Sequence, residues 1–207
     1  VGAETYVYGI RSRPAGARLN ERVLCERLRV SRTPLREAFK RLAAERLIEL
    51  TPNRGARVIA LSRADVEGLF ELMGALEGLS GELAAQRRTD AELAEIRALH
   101  YEMLAAHARR DLPSYYELNH RIHDSLNRCA RNGALTETYD SINTRIQHLR
   151  FRSNFDAAKW AVAVREHQEM LDALEARDGP RLRAVLEQHL RTKVGAVLAH
   201  WNDGKAQ

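Results

Sequence analysis

Between Ser62 and Trp201 the sequence contains almost no strand signals, and this long segment restricts the fold more than any other feature. Apolar residues recur there at three- and four-residue steps, the spacing that brings side chains to one face of an α-helix. The spacing predicts six helices, at Arg63 to Arg87, Ala91 to Arg109, Ser114 to Ala130, Leu135 to Arg152, Lys159 to Arg177 and Pro180 to Trp201. We therefore expect an antiparallel helical bundle with a continuous core.

The first 61 residues have a different pattern, in which short helices are followed by short strands and turns. Asn20 is a good N-cap for a first helix. The expected elements are helices from Glu21 to Leu28 and from Thr33 to Glu45, then strands from Leu47 to Leu50 and from Ala56 to Ala60. The turn-rich segment between the strands predicts a β-hairpin wing. The predicted fold class is mainly α: an N-terminal winged helix-turn-helix at 1–61, followed by an all-α antiparallel helical bundle at 62–207.

The second of these helices begins with the motif Ser-Arg-Thr-Pro-Leu-Arg-Glu. Ser31 or Thr33 can accept a hydrogen bond from the first free backbone N–H groups of the helix. Pro34 costs little there, because no intrahelical donor is lost at that position. The motif therefore predicts a well-defined helix start.

Three cations, Arg32, Arg36 and Lys40, follow one another at four-residue steps on an exposed stripe of this helix. An arginine can donate two hydrogen bonds to O6 and N7 of a guanine, a contact worth roughly 1–3 kcal/mol of base discrimination. For the arginines considered alone, pairing with Glu37, Glu26 or solvent is the alternative. In a winged helix, the stripe is expected to face the major groove of DNA.

The positive charge of the chain is concentrated at its N-terminal end. Val1 to Ala60 contains 13 Lys and Arg against 6 Asp and Glu, a net of +7, whereas the remainder contains 20 against 22, a net of −2. A basic segment suits a polyanion, because neutralising phosphates releases counterions. Charge alone does not distinguish DNA from RNA or anionic lipid, and a solvated basic surface is the plainer alternative.

Cys25 and Cys129 stand in unrelated segments without metal-binding or redox spacing, so we expect two reduced thiols in a cytoplasmic protein. No apolar run approaches the roughly 20 residues that a helix needs to cross a bilayer. We therefore expect a soluble protein with no membrane partner.

The segment from Arg18 to Ala43 contains Ser-Arg-Thr-Pro-x-Arg-Glu-Ala, and Arg54-Gly55 follows in the wing. In these residues the sequence resembles the winged helix-turn-helix of GntR-family transcriptional regulators. The helical remainder resembles the FCD-type effector domain of the FadR subfamily. The resemblance implies a homodimeric, ligand-responsive repressor or activator that binds a near-palindromic DNA operator. One departure is Arg29, in a turn where the family usually has Gly, and a positive φ there would be unfavourable for Arg.

The same resemblance assigns DNA contacts to particular residues. On the helix-turn-helix these are Arg22, Ser31, Arg32, Thr33 and Arg36. Arg54 and Gly55 would place the wing at the minor groove, and Lys40 is expected to contact a phosphate.

Three histidines are expected on the inner faces of three different helices. Asn119 and His123 stand four residues apart on one helix, while His167 and His189 each share a face with leucines of later helices. Neutral imidazoles that converge in this way make a natural site for Zn or a similar divalent ion. The alternative is three core histidines that hydrogen-bond to backbone or hydroxyl groups, and spacing alone favours this alternative.

The resemblance favours the metal, because many FCD domains bind one through Asp or Asn, a His four positions later and one His from each of two later helices. The matching residues are Asn119, His123, His167 and His189. The expected ion is Zn, with Ni or Mn as alternatives. Asn in place of Asp removes a negative charge from the ligand set, so we expect lower metal affinity than in Asp-bearing relatives.

Open positions on the metal could hold the carboxylate of a small metabolite, the expected effector. Relatives often place an Arg near Met73 that can bind this carboxylate, and no Arg stands there in this chain. Arg145, Arg150 and Arg152 are weaker candidates for the same role. Periodicity does not decide which of them points inward, so solvent exposure is the default expectation for all three.

Two other functions stay open on the residues. His123-Asp124 is a local match to HD-type phosphohydrolases, which would make the chain a metal-dependent hydrolase. The His and Asp companions of that family are not in the expected arrangement, and no His-Glu-x-x-His motif occurs. The other alternative is a DNA-binding dimer with neither metal nor effector. The sequence favours a regulator without enzymatic activity.

Overall fold

The computed structural model describes residues 15–51, 55–152, 157–199 and 201, except the side chains of residues 148, 151–152 and 157–159. Arg54 of the predicted wing and the side chain of Arg152 therefore lie outside the described residues. The chain divides into two compact units, the first ending at Ala64 and the second spanning Asp65–Trp201.

The first unit combines helices with a small antiparallel sheet. Its elements are β1 (Arg18–Leu19), α1 (Glu21–Leu28), α2 (Arg32–Ala44), β2 (Ile48–Thr51) and β3 (Gly55–Val58). Strand β3 lies between the other two, and Ala56 is opposite both Leu19 and Leu50. Strand β1 is not among the predicted strands, because two residues are too few to show an alternating pattern.

The core of the first unit takes apolar residues from every element: Leu19, Leu24, Leu35, Phe39, Leu42, Ile48 and Ala56. On α2 the helical spacing predicts an inner face of Leu35, Ala38, Phe39 and Leu42. The burial of Leu35, Phe39 and Leu42 agrees with it, and the cationic stripe is exposed. The spacing of Val23, Leu24 and Leu28 predicts one apolar face on α1, but Val23 is 40% exposed. A helix of only two turns directs little more than one row of side chains toward its neighbours, and on α1 that row contains Leu24.

The two helix starts of this unit differ. Asn20 is the predicted N-cap of α1, and its Oδ1 accepts a hydrogen bond from the Val23 N–H at 3.2 Å. Ser31 is the N-cap residue of α2 but makes no capping hydrogen bond through its side chain, so that expectation is wrong. Arg29, just after α1, has a φ of 54°, the left-handed conformation that favours Gly.

The described residues of the second unit form helices joined by short connections, with no strand among them. Its helices are α3 (Arg63–Arg87), α4 (Asp90–Ala108), α5 (Leu112–Cys129), α6 (Gly133–Arg152), α7 (Ala157–Glu175) and α8 (Gly179–Leu198). Helix α3 has its predicted bounds, and the ends of the other five differ from prediction by at most three residues. The N-caps of α4, α5 and α8 are Thr89, Asp111 and Asp178.

Helices α3 and α8 approach each other closely at Gly81. A Cβ atom added there would lie 2.3 Å from Leu186 Cδ1 and 2.9 Å from Leu182 Cγ, so a larger residue would require neighbouring groups to shift. Glu77, one turn earlier on α3, is also buried. Helix α3 thus places a buried carboxylate one turn before its closest contact with α8.

An arginine joins helix ends elsewhere in this unit. Arg177, just after α7, has a φ of 54°. Its guanidinium donates hydrogen bonds of 3.1–3.2 Å to the carbonyls of Ala85, Gln86 and Arg88, at the C-terminal end of α3. These carbonyls have no partner within a helix, and Arg177 supplies one.

Candidate metal centre and DNA interface

Three helices of the second unit bring His123 (α5), His167 (α7) and His189 (α8) together in its core. Their ring centroids are 5.0–5.4 Å apart. One ligand atom from each lies within 4.8 Å of the others, a separation that a single metal ion can bridge. None of the three side chains is more than 2% exposed. The structure thus brings together the three histidines that the sequence singled out.

The polar atoms of this cluster lack the protein partners that buried groups normally have. His123 Nε2, His189 Nε2 and both ring nitrogens of His167 make no hydrogen bond, and neither does the buried Oδ1 of Asn119, one turn before His123. Unpartnered buried polar atoms are costly. An ion that accepted their lone pairs would remove the cost, so this donor set fits a divalent metal.

Burial also keeps the imidazoles in the form that binds metal. It lowers the pKa of His123 and places the pKa of His167 and His189 well below the usual value. Neutral imidazoles offer a nitrogen lone pair, whereas imidazolium does not. The site therefore holds three neutral nitrogen ligands at neutral pH.

A carboxylate lies close to Nδ1 of two of the three rings. Glu77 Oε2 lies 2.9 Å from His123 Nδ1, and Glu166 Oε2 lies 2.6 Å from His189 Nδ1. Thr192 Oγ1 donates to the other oxygen of Glu166 at 2.8 Å. A carboxylate at Nδ1 fixes the tautomer that leaves Nε2 as the ligand atom. Glu77 and Glu166 are therefore positioned to orient His123 and His189.

Arg150 keeps Glu77 charged inside the bundle. Its Nη2 lies 2.9 Å from Glu77 Oε1, and its Nη1 donates to Asn143 Oδ1 at 3.0 Å. Burial raises the pKa of Glu77, but Arg150 and His123 outweigh this effect and lower it to about 2. Arg150 is buried, so the default expectation of exposure is wrong for it, because the carboxylate of Glu77 compensates its desolvation. Arg145 is half-buried.

Lys193 is a further buried cation beside the histidines. It stands one turn after His189 on α8 and is 3% exposed. Burial and the charge of Arg150 lower its pKa to about 7, against the opposing effect of Glu77 and Glu166. Glu77, Glu166 and Lys193 are absent from the sequence-based candidates. Glu77 and Lys193 do fall at helical spacing with the core positions Met73 and His189, and that was the available signal.

In the first unit, the residues proposed to bind DNA lie at the surface. Arg22, Ser31, Arg32, Thr33, Arg36 and Lys40 are all exposed, and Gly55 begins β3 with a φ of 84°. The carboxylate of Glu21 binds Arg36, while Lys40 Nζ lies 2.7 Å from Glu37 Oε1. Arg22 lies 3.5 Å from Glu26. These cations thus do pair with acidic neighbours, as the alternative interpretation expected. The partner of Arg36 is Glu21, however, and not Glu37 or Glu26.

In the part of the chain that the structure describes, no helix is both long enough and apolar enough to cross a bilayer. Asp124, the second residue of the hydrolase-like pair, lies 3.4 Å from His120, outside the three-histidine cluster.

Both units match families of known proteins. Residues 11–58 match the family described as bacterial regulatory proteins, gntR family, and residues 68–192 match the FCD domain. The chain is 30% identical over 192 residues to a probable D-xylose utilization operon transcriptional repressor of Paenarthrobacter nicotinovorans, covering 92% of this chain and 83% of that protein. It is 28% identical over 176 residues to the HTH-type transcriptional repressor RspR of Escherichia coli (strain K12), covering 85% of this chain and 77% of that protein.

Solved structures show the same fold. E. coli McbR/YncC superposes with a TM-score of 0.81 at 20% identity, covering 98% of this chain and all of that one. A putative GntR transcriptional regulator from Rhodococcus sp. RHA1 gives 0.73 at 20% identity, covering 97% and 95%. The predicted order of a winged helix-turn-helix and a helical bundle is confirmed. The relatives are transcriptional regulators and not enzymes, which rules against the hydrolase alternative.

Proposed function

This chain belongs to the GntR family of transcriptional regulators and carries an FCD domain, and from that premise we propose that it is a homodimeric repressor controlled by a divalent metal and a small carboxylate. The N-terminal domain, assigned from the sequence to 1–61, binds one half of a near-palindromic operator, and the C-terminal domain, assigned to 62–207, binds the ligands and the second subunit. The single observation that carries the ligand proposal is the cluster of three buried histidines with unpartnered nitrogens.

The ligands of the metal are His123, His167 and His189, with the amide oxygen of Asn119 as the fourth. When bound, the ion supplies Lewis-acid attraction for a carboxylate. Zn suits three imidazoles, and Ni and Mn are the alternatives. Glu77 and Glu166 keep the Nε2 atoms of two histidines directed at the ion.

The effector is a small carboxylic acid that completes the coordination of the metal. Among the three candidate arginines, Arg150 has the best support, because it is buried and belongs to the same charge network as His123 through Glu77. Arg145 and Arg152 remain weaker candidates for binding the effector.

On the DNA side, Arg32, Thr33 and Arg36 of α2 contact bases in the major groove, with Arg22 and Ser31 reaching backbone or bases. Lys40 contacts phosphate, and Arg54 with Gly55 carries the wing into the minor groove. The surface position of the described members and the net charge of +7 over Val1 to Ala60 support this assignment.

Control requires that the effector bind one arrangement of the dimer better than the other. An effector that prefers the DNA-free arrangement releases the operator, and operator DNA in turn weakens effector binding by the same factor. We propose that the metabolite weakens operator binding and so relieves repression.

Metal analysis tests the ligand proposal. Purified protein should hold about one divalent ion per chain, and added Zn should raise the melting temperature of protein stripped with a chelator. His123→Ala should abolish that rise. His120→Ala is the matched control, because His120 lies on the same helix but is half-exposed and paired with Asp124.

If stripped protein neither rebinds a divalent ion nor responds to Zn, the helical unit only dimerises and the ligand proposal is wrong. In a separate experiment, selection of the DNA duplexes that the protein binds from a random pool identifies the operator. Carboxylic acids are screened for release of that duplex, and the winning acid gives the effector class.

A further inference from the structure

Arg29 ends α1 in a backbone conformation that suits a different residue. Its φ is 54°, and its N–H donates to the carbonyl of Cys25, as does the N–H of Val30 at 3.1 Å. The left-handed residue that ends a helix in this way is usually Gly, because a side chain makes the conformation costly. The backbone therefore needs the left-handed conformation but does not need an arginine.

Two of the other left-handed arginines show what such a side chain can do within the fold. Arg131 and Arg177 donate hydrogen bonds to backbone carbonyls at the end of α3. The side chain of Arg29, in contrast, is exposed, and none of the residues that the structure describes forms an ion pair or a side-chain hydrogen bond with it. Its charge is therefore available to a partner outside the chain.

Arg29 lies in the turn that leads into α2. Arg32 begins α2 three residues later, so the Cα atoms of the two residues are at most about 11 Å apart. In the proposed function, Arg32 contacts bases in the major groove. Each DNA strand beside that groove has one phosphate for about every 3.4 Å of helix axis. A cation this close to Arg32 therefore lies near the phosphate backbone when α2 occupies the groove.

We propose that Arg29 binds a phosphate of the DNA duplex and adds one contact that is independent of sequence. The inference rests on the proposed function, in which the first turn of α2 enters the major groove. The contact breaks no ion pair, whereas Arg22, Arg36 and Lys40 each have a carboxylate neighbour in the free protein. The left-handed arginine thus lowers the stability of the fold and strengthens DNA binding.

Arg46 provides a matched control within the same unit. It has a φ of 56° and is exposed, and the N–H of Leu47 donates to the carbonyl of Leu42 at 2.9 Å, which repeats the arrangement at the end of α1. It follows the other end of α2, a helix of 13 residues and so about 20 Å in length. Because strain and exposure are alike at the two sites, their distance from Arg32 is what distinguishes Arg29 from Arg46.

The test measures binding of full-length protein to a random duplex and to the selected operator over a range of salt concentrations, by fluorescence anisotropy. Arg29→Gly should weaken binding of both duplexes by about three- to tenfold for each bound subunit. The slope of log affinity against log salt should become shallower by about one unit for each bound subunit. Arg46→Gly removes the same charge and the same strain, and it should change affinity by less than about twofold and leave the slope unchanged.

Two further variants separate the charge of Arg29 from its backbone. Arg29→Gln keeps a side chain at the left-handed position and removes the charge, so it should weaken binding as much as Arg29→Gly. Arg29→Lys keeps the charge and should retain most of the affinity and the full salt slope. The melting temperature of free Arg29→Gly protein should be unchanged or higher, so that its weaker DNA binding does not result from unfolding.

Equal losses for Arg29→Gly and Arg46→Gly would indicate a general effect of net charge and would overturn the contact. An unchanged salt slope in Arg29→Gln, or a loss confined to the operator, would also overturn it. These results would leave the proposed function intact. If the wild-type protein binds neither a random duplex nor any selected one, the proposed DNA binding itself is wrong.

Discussion

The carboxylate of Glu21 holds the guanidinium of Arg36, with Arg36 Nε and Nη2 each 3.1 Å from Glu21 Oε2. The pair connects the first turn of α1 to the first half of α2. Both partners are accessible to solvent, so the pair contributes at most about 1 kcal/mol to stability. A guanine that offers two acceptors can therefore replace Glu21 at little cost, and until then Glu21 limits the rotamers of Arg36.

Arg36→Ala should remove sequence discrimination. We expect the preference for the selected operator over a random duplex to fall by roughly 1–3 kcal/mol, because a bidentate contact to one base is lost. Binding of both duplexes at several salt concentrations, followed by fluorescence anisotropy, measures this. An equal loss on both duplexes would contradict base recognition by Arg36.

Lys40→Ala should behave differently, because a phosphate contact carries no sequence information. Affinity should fall by a similar factor on the operator and on a random duplex. The slope of log affinity against log salt should become shallower by about one unit. A change confined to the operator would assign Lys40 to base recognition instead.

Gly81→Ala should destabilise the helical unit. The added methyl group meets Leu186 and Leu182 at distances below normal contact, so these leucines must repack or α3 and α8 must move apart. Overpacking of this kind costs about 1–3 kcal/mol. Urea unfolding followed by tryptophan fluorescence reports on this unit, because both tryptophans, Trp160 and Trp201, lie within it.

Gly68→Ala is the control on the same helix, since nothing lies within 4 Å of the added Cβ. It should be neutral or stabilising by up to about 1 kcal/mol through helix propensity. Similar destabilisation by both substitutions would mean that the α3–α8 contact is not the cause.

Most of the helical architecture could be predicted from periodicity and capping residues. Helix α3 has the predicted bounds because its apolar positions recur without interruption. Strand β1 could not be predicted, because it is ordered by pairing with β3, a partner about 40 residues away in sequence. The failed Ser31 cap shows the same limit, since the residue type permits a hydrogen bond that the local geometry does not form.

The sequence identified the three histidines because each shares a helix face with apolar residues. It did not identify Glu77 or Lys193, because a charged residue at a core position is usually interpreted as exposed. Both are buried next to charges from other helices: Arg150 lies beside Glu77, and the charges of Glu77 and Glu166 favour the ammonium of Lys193. Helical spacing gives no distances between helices, so these contacts require the tertiary structure.

Protein stripped of metal should lose stability as the pH falls below about 6.5. Burial lowers the pKa of His123, His167 and His189, so the unfolded chain binds protons in this range while the folded chain does not. Stability is therefore complete above the unfolded pKa and declines below it by up to about 1.4 kcal/mol per pH unit for each histidine. Urea unfolding between about pH 7.5 and pH 5.5 measures the slope.

Two other shifted groups contribute mainly at other pH values. Lys193, with a pKa of about 7, changes the stability mainly above the histidine range, and Glu77, with a pKa of about 2, changes it below the usual value of 4.5. Glu166, whose pKa is raised by burial, acts with the opposite sign to the histidines. His167→Leu removes one of the three titrating rings and should make the slope shallower by about one proton. A flat profile in the stripped wild-type protein would contradict neutral burial of the cluster.

Substitution of two left-handed arginines by Gly should have opposite effects. Arg29 and Arg177 both have a φ of 54°, a conformation that costs an L-residue roughly 1–2 kcal/mol relative to Gly. The side chain of Arg29 is exposed, so Arg29→Gly should stabilise the first unit by about 0.5–1 kcal/mol after the greater entropy of unfolded Gly is subtracted. Hydrogen exchange of the α1 amides measures this gain.

Arg177→Gly relieves the same backbone strain but removes the donors to the carbonyls of Ala85, Gln86 and Arg88. Each bond of a charged donor is worth about 1.5–3 kcal/mol where it is buried and less where solvent competes. We therefore expect a net loss of about 1–2 kcal/mol in the helical unit, seen in urea unfolding by tryptophan fluorescence. Because the backbone change is identical at the two sites, a gain in stability for Arg177→Gly would show that its hydrogen bonds do not support the end of α3.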